Sequence, residues 1–177
     1  TPLYSSAASD VYKRQLIFLC MFHGEKIKNL DKTEISKKLG ADVPIFLEQK
    51  SGFASGVGEV FEKEHSYKSE YLIISPNFNI STKDLYNSKF LQTNREPDRK
   101  TNSFFEPLKS ESHEFKAFYN YLIGIGGERF KDKLKLTGTG SSVFLENPLR
   151  DDIELLKKNT KKKFRIFVAK SLEYNWF

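Results

Sequence analysis

The stretch KLKLTGTGSSVFLE, residues 133–146, places two apolar segments, KLKLTG and SSVFLE, on either side of a glycine-rich turn. Each segment reads as a strand bounded by turn residues. In the turn, glycines let backbone N–H groups converge and hydroxyls add donors. Gly138, Thr139, Gly140 and Ser141 therefore offer a means of holding or buttressing a phosphate. An ordinary hairpin carries the same two-glycine turn, and from these residues alone both readings stay open.

Outward from this pair, YLIIS at 71–75 is a strong strand signal and FRIFVAK at 164–170 reads as a last strand. Phe115, Phe118, Tyr119 and Leu122 fall at i, i+3, i+4 and i+7, one apolar stripe of a helix that Gly124, Gly126 and Gly127 are expected to stop. Another helix opens at Asp151. Ser81 or Thr82 is placed to cap a short helix through Tyr86, with a loop from about Lys89 to Asn102. Strands and helices alternating in this way predict a layered α/β or α+β domain.

Farther upstream, the apolar run at 16–24 suits a buried helix or a strand. Asp31 with Glu34 resembles a capping box, Ile35 and Leu39 give the helix an apolar pair, and Gly40 ends it. Residues 41–47 should run extended, because the residue before Pro44 is pushed out of the helical region. Gly52, Gly56 and Gly58 suggest a strand and turn closing a first substructure. A polar stretch from Glu62 to Glu70 then separates it from the strand at 71–75, which sets expected domains of 16–69 and 70–177. Residues 5–15, SSAASDVYKRQ, back-translate to a tagmentation sequencing adapter, so residues 1–15 are expected to be read-through of library DNA.

The composition is that of a globular chain, with 38% hydrophobic and 29% charged residues among 177. No apolar run approaches the roughly 18 residues of a spanning helix. The single cysteine, Cys20, excludes an internal disulfide framework and fits a reducing cytosol, and its place in an apolar run makes a buried structural thiol the expectation over a reactive one. A formal charge of +6 raises the question of a nucleic-acid partner. The basic residues are scattered, however, and the one dense cluster, Lys157 to Lys163, reads as a solvated helix end before an apolar strand.

Two further constellations carry chemistry. In GADVP, 40–44, an aspartate between a helix end and a proline presents its carboxylate from rigid backbone. Asp42 then either accepts a proton from, or orients, an attacking hydroxyl, or merely satisfies nearby backbone amides. In PNFNISTKDLY, 76–86, Thr82 and Tyr86 share one helical face. They offer a hydroxyl donor and an aromatic plate to a nucleobase, or else serve as an N-cap and a core-packing ring.

With LGADVPIF at 39–46, ASGVGE at 54–59, STKDLY at 81–86 and LTGTGSSVF at 136–144 in this order, the chain resembles the 4-diphosphocytidyl-2-C-methyl-D-erythritol kinases of the GHMP superfamily. The resemblance runs from Leu16 to Lys170 and covers the C-terminal two-thirds or so of such an enzyme. It implies an α+β fold: the tail of a GHMP N-terminal α/β, nucleotide-binding domain followed by a ferredoxin-like GHMP C-terminal domain. It implies phosphorylation of the 2-hydroxyl of the methylerythritol moiety by ATP with Mg2+, in the cytoplasm, on a small-molecule substrate bearing a cytidine diphosphate group, with no nucleic-acid or membrane partner.

The family's catalytic aspartate falls on Asp42, its substrate-contacting threonine on Thr82 and its cytosine-stacking aromatic on Tyr86. Gly138, Thr139, Gly140 and Ser141 fall in the loop that supports the phosphate site. No metal ligand is assigned. The glycine-rich motif that wraps ATP phosphates, and the lysine that pairs with the aspartate, are expected before Leu16, so the chain alone is expected not to turn over. The family's Asn-Asp-x-Glu motif is eroded to NSFFEP at 102–107, and no role is assigned to Asn102 or Glu106. The rival readings are another GHMP kinase, of the mevalonate or homoserine type, and a basic nucleic-acid-binding module.

Overall fold

The computed structural model describes residues 15, 52–55, 60–63, 68–92, 101–160 and 163–171. The expected elements at 16–24, 31–40 and 41–47, with Cys20 and Asp42, lie outside the described residues, as do Lys161 and Lys162. The chain divides into two compact units, Thr1–Tyr67 with Glu173–Phe177, and Lys68–Leu172. In the first, β1 (Gly52–Ser55) and β2 (Val60–Lys63) pair antiparallel, with Gly52 opposite Lys63 and Ser55 opposite Val60.

The second unit runs β3 (Glu70–Ser75), α1 (Thr82–Tyr86), α2 (Lys89–Gln92), α3 (Phe105–Glu111), α4 (His113–Gly126), α5 (Glu128–Lys131), β4 (Lys135–Leu136), β5 (Val143–Glu146), α6 (Arg150–Thr160) and β6 (Arg165–Lys170). Its sheet has the order β4-β5-β3-β6, and every neighbouring pair is antiparallel. The strand sequence, with α4 and α6 as the two long crossovers and the first and third strands in the middle, is the ferredoxin-like arrangement. This is the α+β class that the resemblance implies, and it decides between the α/β and α+β readings that the alternation of elements left open.

The helices α4 and α6 cover one face of the sheet. Leu72 and Ile74 of β3, and Val143 and Leu145 of β5, point inward by the period-2 rule and are buried. They meet the α4 stripe of Phe115, Phe118, Tyr119 and Leu122, joined by Leu156 of α6. Each such buried side chain contributes about 1.5–3 kcal/mol. Phe115 stacks on Tyr119 at 6.4 Å, and Phe118 meets Phe164 edge-on at 4.8 Å. Ser112 caps α4, its hydroxyl accepting from the Phe115 N–H at 3.1 Å. The helix continues through Gly124 and Gly126 and stops only at Gly127, whose N–H donates to the Ile123 carbonyl. A Cβ at Gly126 would overlap the Phe130 ring, so this glycine serves close packing of α5 onto α4 rather than helix termination.

Several elements differ from expectation. The segment expected as loop from Lys89 begins with the single turn α2. NSFFEP leads into α3, where Pro107 is tolerated because the first turn has no intrahelical acceptor for its missing N–H. The last helix opens at Arg150, one residue early. There Asp152 closes a capping arrangement by accepting from the Leu149 N–H at 3.3 Å. Lys157 and Lys158 lie in the last turn of α6 and Lys163 sits 4.6 Å over the Tyr121 ring. The described part of the basic cluster is thus a helix end and its exit.

Candidate functional site

The helix α1 is short and anchored by one residue. Ser81 takes the cap, its hydroxyl accepting from the Asp84 N–H at 3.3 Å, and Leu85 is the buried member. Thr82, released from capping duty, is exposed and its hydroxyl has no partner among the described residues. Tyr86, one turn later on the same face, is 61% exposed. It therefore does not pack in the core. Its ring stands edge-on to Phe104, centroids 5.1 Å apart and planes at 84°, which fixes the ring while leaving a face to solvent.

The turn between β4 and β5 is held at both ends. Thr137 N–H donates to the Ser142 carbonyl at 3.1 Å, and Gly140 N–H donates to the Thr137 carbonyl at 3.0 Å. Gly138 and Gly140 have φ of 56° and 88°, which favour glycine at both positions. A Cβ at Gly140 would lie 2.7 Å from Leu108 Cδ1, so the turn is also seated directly on α3. The N–H groups of Gly138, Thr139 and Ser141 have no acceptor among the described residues. Together they form a concentration of free donors of the kind that receives an anion. Ser141 turns its hydroxyl away from this job, donating to the Phe78 carbonyl at 3.0 Å, and Ser142 bonds Ser75 at 3.1 Å.

These contacts bind the turn to the segment leading into α1, since Phe78 and Ile80 precede Thr82 by only a few residues and Ile80 Cδ1 lies beside Gly140. The structure thus brings Gly138–Ser141 alongside the chain that carries Thr82 and Tyr86. Asp42 lies outside the described residues. Among the described residues no cluster of His, Cys, Asp or Glu has the makings of a metal site, and no helix is long and apolar enough to cross a membrane. A separate cavity of ≈ 480 Å³, lined by Asn102, Glu106, Lys131, Asp132 and Lys135 among others, includes neither the turn nor Thr82 and Tyr86.

Two participants were not legible as such in the sequence. Asn102 and Phe104 belong to the eroded NSFFEP motif, yet Phe104 buttresses Tyr86, and Asn102 bonds the carbonyls of Leu136 and Gly138. An asparagine two residues before an aromatic, at the mouth of a helix, was the available signal.

No protein-family model matches the chain. A 4-diphosphocytidyl-2-C-methyl-D-erythritol kinase from Marinomonas sp. (strain MWYL1) is 28% identical over 174 residues, covering 94% of this chain and 53% of the relative. The protein of the same name from Francisella tularensis subsp. tularensis (strain FSC 198) is 28% identical over 165 residues, 90% of this chain and 58% of its own length. That from Idiomarina loihiensis is 28% identical over 162 residues, with 87% and 54% covered. The chain spans about half the length of these curated relatives. A crystal structure of 4-(cytidine 5'-diphospho)-2C-methyl-D-erythritol kinase superposes with a TM-score of 0.66 at 20% identity, over 92% of this chain and 64% of that one. Over nine-tenths of its length the chain is a homologue of proteins named 4-diphosphocytidyl-2-C-methyl-D-erythritol kinase, with the fold of that kinase.

Proposed function

We propose that this chain is the substrate-recognising part of an ATP-dependent small-molecule kinase that phosphorylates the 2-hydroxyl of 4-diphosphocytidyl-2-C-methyl-D-erythritol. The observation that carries the reading is Tyr86, an exposed aromatic plate held by Phe104, with the exposed Thr82 hydroxyl one turn away. A nucleobase is stacked by such a plate, whereas mevalonate and homoserine have no ring to place on it. The N–H groups of Gly138, Thr139 and Ser141, without an acceptor among the described residues, support a phosphate site in the turn that packs on the approach to α1.

In this reading Asp42 removes or orients the proton of the attacking hydroxyl, and Gly138, Thr139, Gly140 and Ser141 shape the loop that supports the phosphates. ATP with Mg2+ is proposed as the phosphoryl donor, and the domain division at 69/70 is proposed with it. Phosphoryl transfer depends chiefly on positioning and charge stabilisation, which is the work these residues would do. Such a kinase would act in the cytoplasm.

The test is competition between cytidine 5'-diphosphate and mevalonate for the chain, repeated with Tyr86→Ala. The expected result is binding of the cytidine compound alone, weakened about tenfold or more in the variant by loss of stacking. Preference for mevalonate, or unaltered affinity in Tyr86→Ala, would defeat the reading.

A further inference from the structure

We infer that Asn102 is a positioning residue that locks the glycine turn and the Tyr86 plate into one fixed relation. Its side-chain amide faces two structures at once. Nδ2 donates to the Gly138 carbonyl at 2.8 Å and to the Leu136 carbonyl at 3.2 Å, the two carbonyls that flank Thr137 at the entrance of the turn. Oδ1 accepts from the Phe104 N–H at 2.9 Å. The atoms that meet the amide are two carbonyl oxygens on the turn side and an N–H on the Phe104 side, so the amide has one workable orientation. Both of its N–H donors are spent on the turn.

The Phe104 end is what couples the turn to the plate. Phe104 carries the ring against which Tyr86 stands at 5.1 Å. Its carbonyl accepts from Leu108 N–H at 3.1 Å, and Leu108 is the side chain on which Gly140 rests. Asn102 therefore closes a ring of contacts: turn to amide, amide to Phe104 backbone, Phe104 to Tyr86, and α3 back to the turn. A ligand with a base at one end and phosphates further along is bound well only when the plate and the free N–H groups keep a set separation, because ordering them on binding costs affinity. Asn102 supplies that order in advance.

This inference rests on the proposed function for its consequence, though not for its geometry. Asn102→Asp is isosteric and keeps the acceptor for Phe104 N–H, but loses both donors and sets a carboxylate against two carbonyls. Asn102→Ala loses all three bonds. In the ligand-free chain, Asn102→Asp is expected to shift and broaden the amide NMR signals of Gly138, Thr139 and Ser141 while the Tyr86 ring signals stay in place. Asn102→Ala is expected to move both sets, with the Leu122 and Val143 methyl signals unchanged in either variant.

With ligand, Asn102→Asp lowers affinity for cytidine 5'-diphosphate about tenfold and leaves that for cytidine unaltered, whereas Asn102→Ala weakens both. If Asn102→Ala fails to fold, Asn102→Asp carries the test. Failure of the unaltered chain to bind cytidine 5'-diphosphate counts against the proposed function, and the ligand-free signals still decide the role of Asn102. Turn and ring signals in both variants that coincide with those of the unaltered chain would overturn it.

Discussion

Replacing the two turn glycines by alanine separates backbone strain from packing at the candidate phosphate loop. At Gly138, φ is 56° and nothing lies within 4 Å of an added Cβ, so Gly138→Ala carries only the left-handed penalty, about 1 kcal/mol. At Gly140, φ is 88° and the Cβ would sit 2.7 Å from Leu108 Cδ1 and 3.2 Å from Leu136 Cδ1. Leu108 and Leu136 are 2% and 4% exposed, so neither swings into solvent to make room. Overpacking of this kind adds about 1–3 kcal/mol, and Gly140→Ala is expected to cost about 3 kcal/mol in all.

Urea unfolding of the chain reads the difference directly. With a slope of about 2 kcal/mol/M, the midpoint falls by about 1.5 M for Gly140→Ala and by about 0.5 M for Gly138→Ala. Leu108→Ala alone costs about 2–5 kcal/mol, but combined with Gly140→Ala it relieves the overlap, so the double variant should fall short of the sum by about 1–2 kcal/mol. Equal midpoint shifts for the two glycine variants, or strict additivity with Leu108→Ala, would refute the reasoning.

Asp152 is 5% exposed, and its Oδ1 makes no well-aligned hydrogen bond but has the Arg129 guanidinium at 2.9 Å as counter-charge. Arg129→Ala strands that buried charge and is expected to cost about 2 kcal/mol, below the range for a wholly buried pair because the guanidinium is 44% exposed; calorimetric melting of Arg129→Ala beside Asp152→Ala, which removes the charge as well, checks it. The hydrogen bonds from Lys135 and Ser69 hold the Glu146 carboxyl below its ordinary value of 4.5. The unfolded chain therefore binds that proton more readily, so the contribution is complete above pH 4.5 and is lost as the pH falls through the lower folded value. Glu146→Gln should cost about 0.5 kcal/mol at neutral pH, with the gap in urea midpoint narrowing as the pH is taken to about 3, and a gap that widens in acid would contradict the assignment.

How much was legible from the sequence depended on how locally each feature is determined. The α4 stripe and the strand at 71–75 emerge as expected, because periodicity of 3.6 or 2 is written in neighbouring residues and burial selects it. The single turns α2 and α5 span four residues each, too few for a period to show. Pro107 disguised α3, since a proline is a breaker everywhere except in a first turn. Among the candidate site residues, the sequence singled out Thr82, Tyr86 and the glycine turn through their chemistry. For Thr82 it left open whether the hydroxyl capped the helix, a task the structure gives to Ser81.

By itself, then, the sequence determined a layered domain of strands and helices and the identity of its motifs, because hydrophobic spacing and turn chemistry are properties of short segments, while the antiparallel strand order that makes it α+β is a matter of tertiary pairing. Only the tertiary structure decided that Tyr86 faces outward against Phe104, that Ser141 is tied to the Phe78 carbonyl 63 positions away, and that Asn102 grips carbonyls 34 and 36 positions away. Those partners meet because the β4–β5 turn folds back onto α3 and the approach to α1. A hydrogen bond between groups so far apart in the chain has no signature in the residues beside either of them.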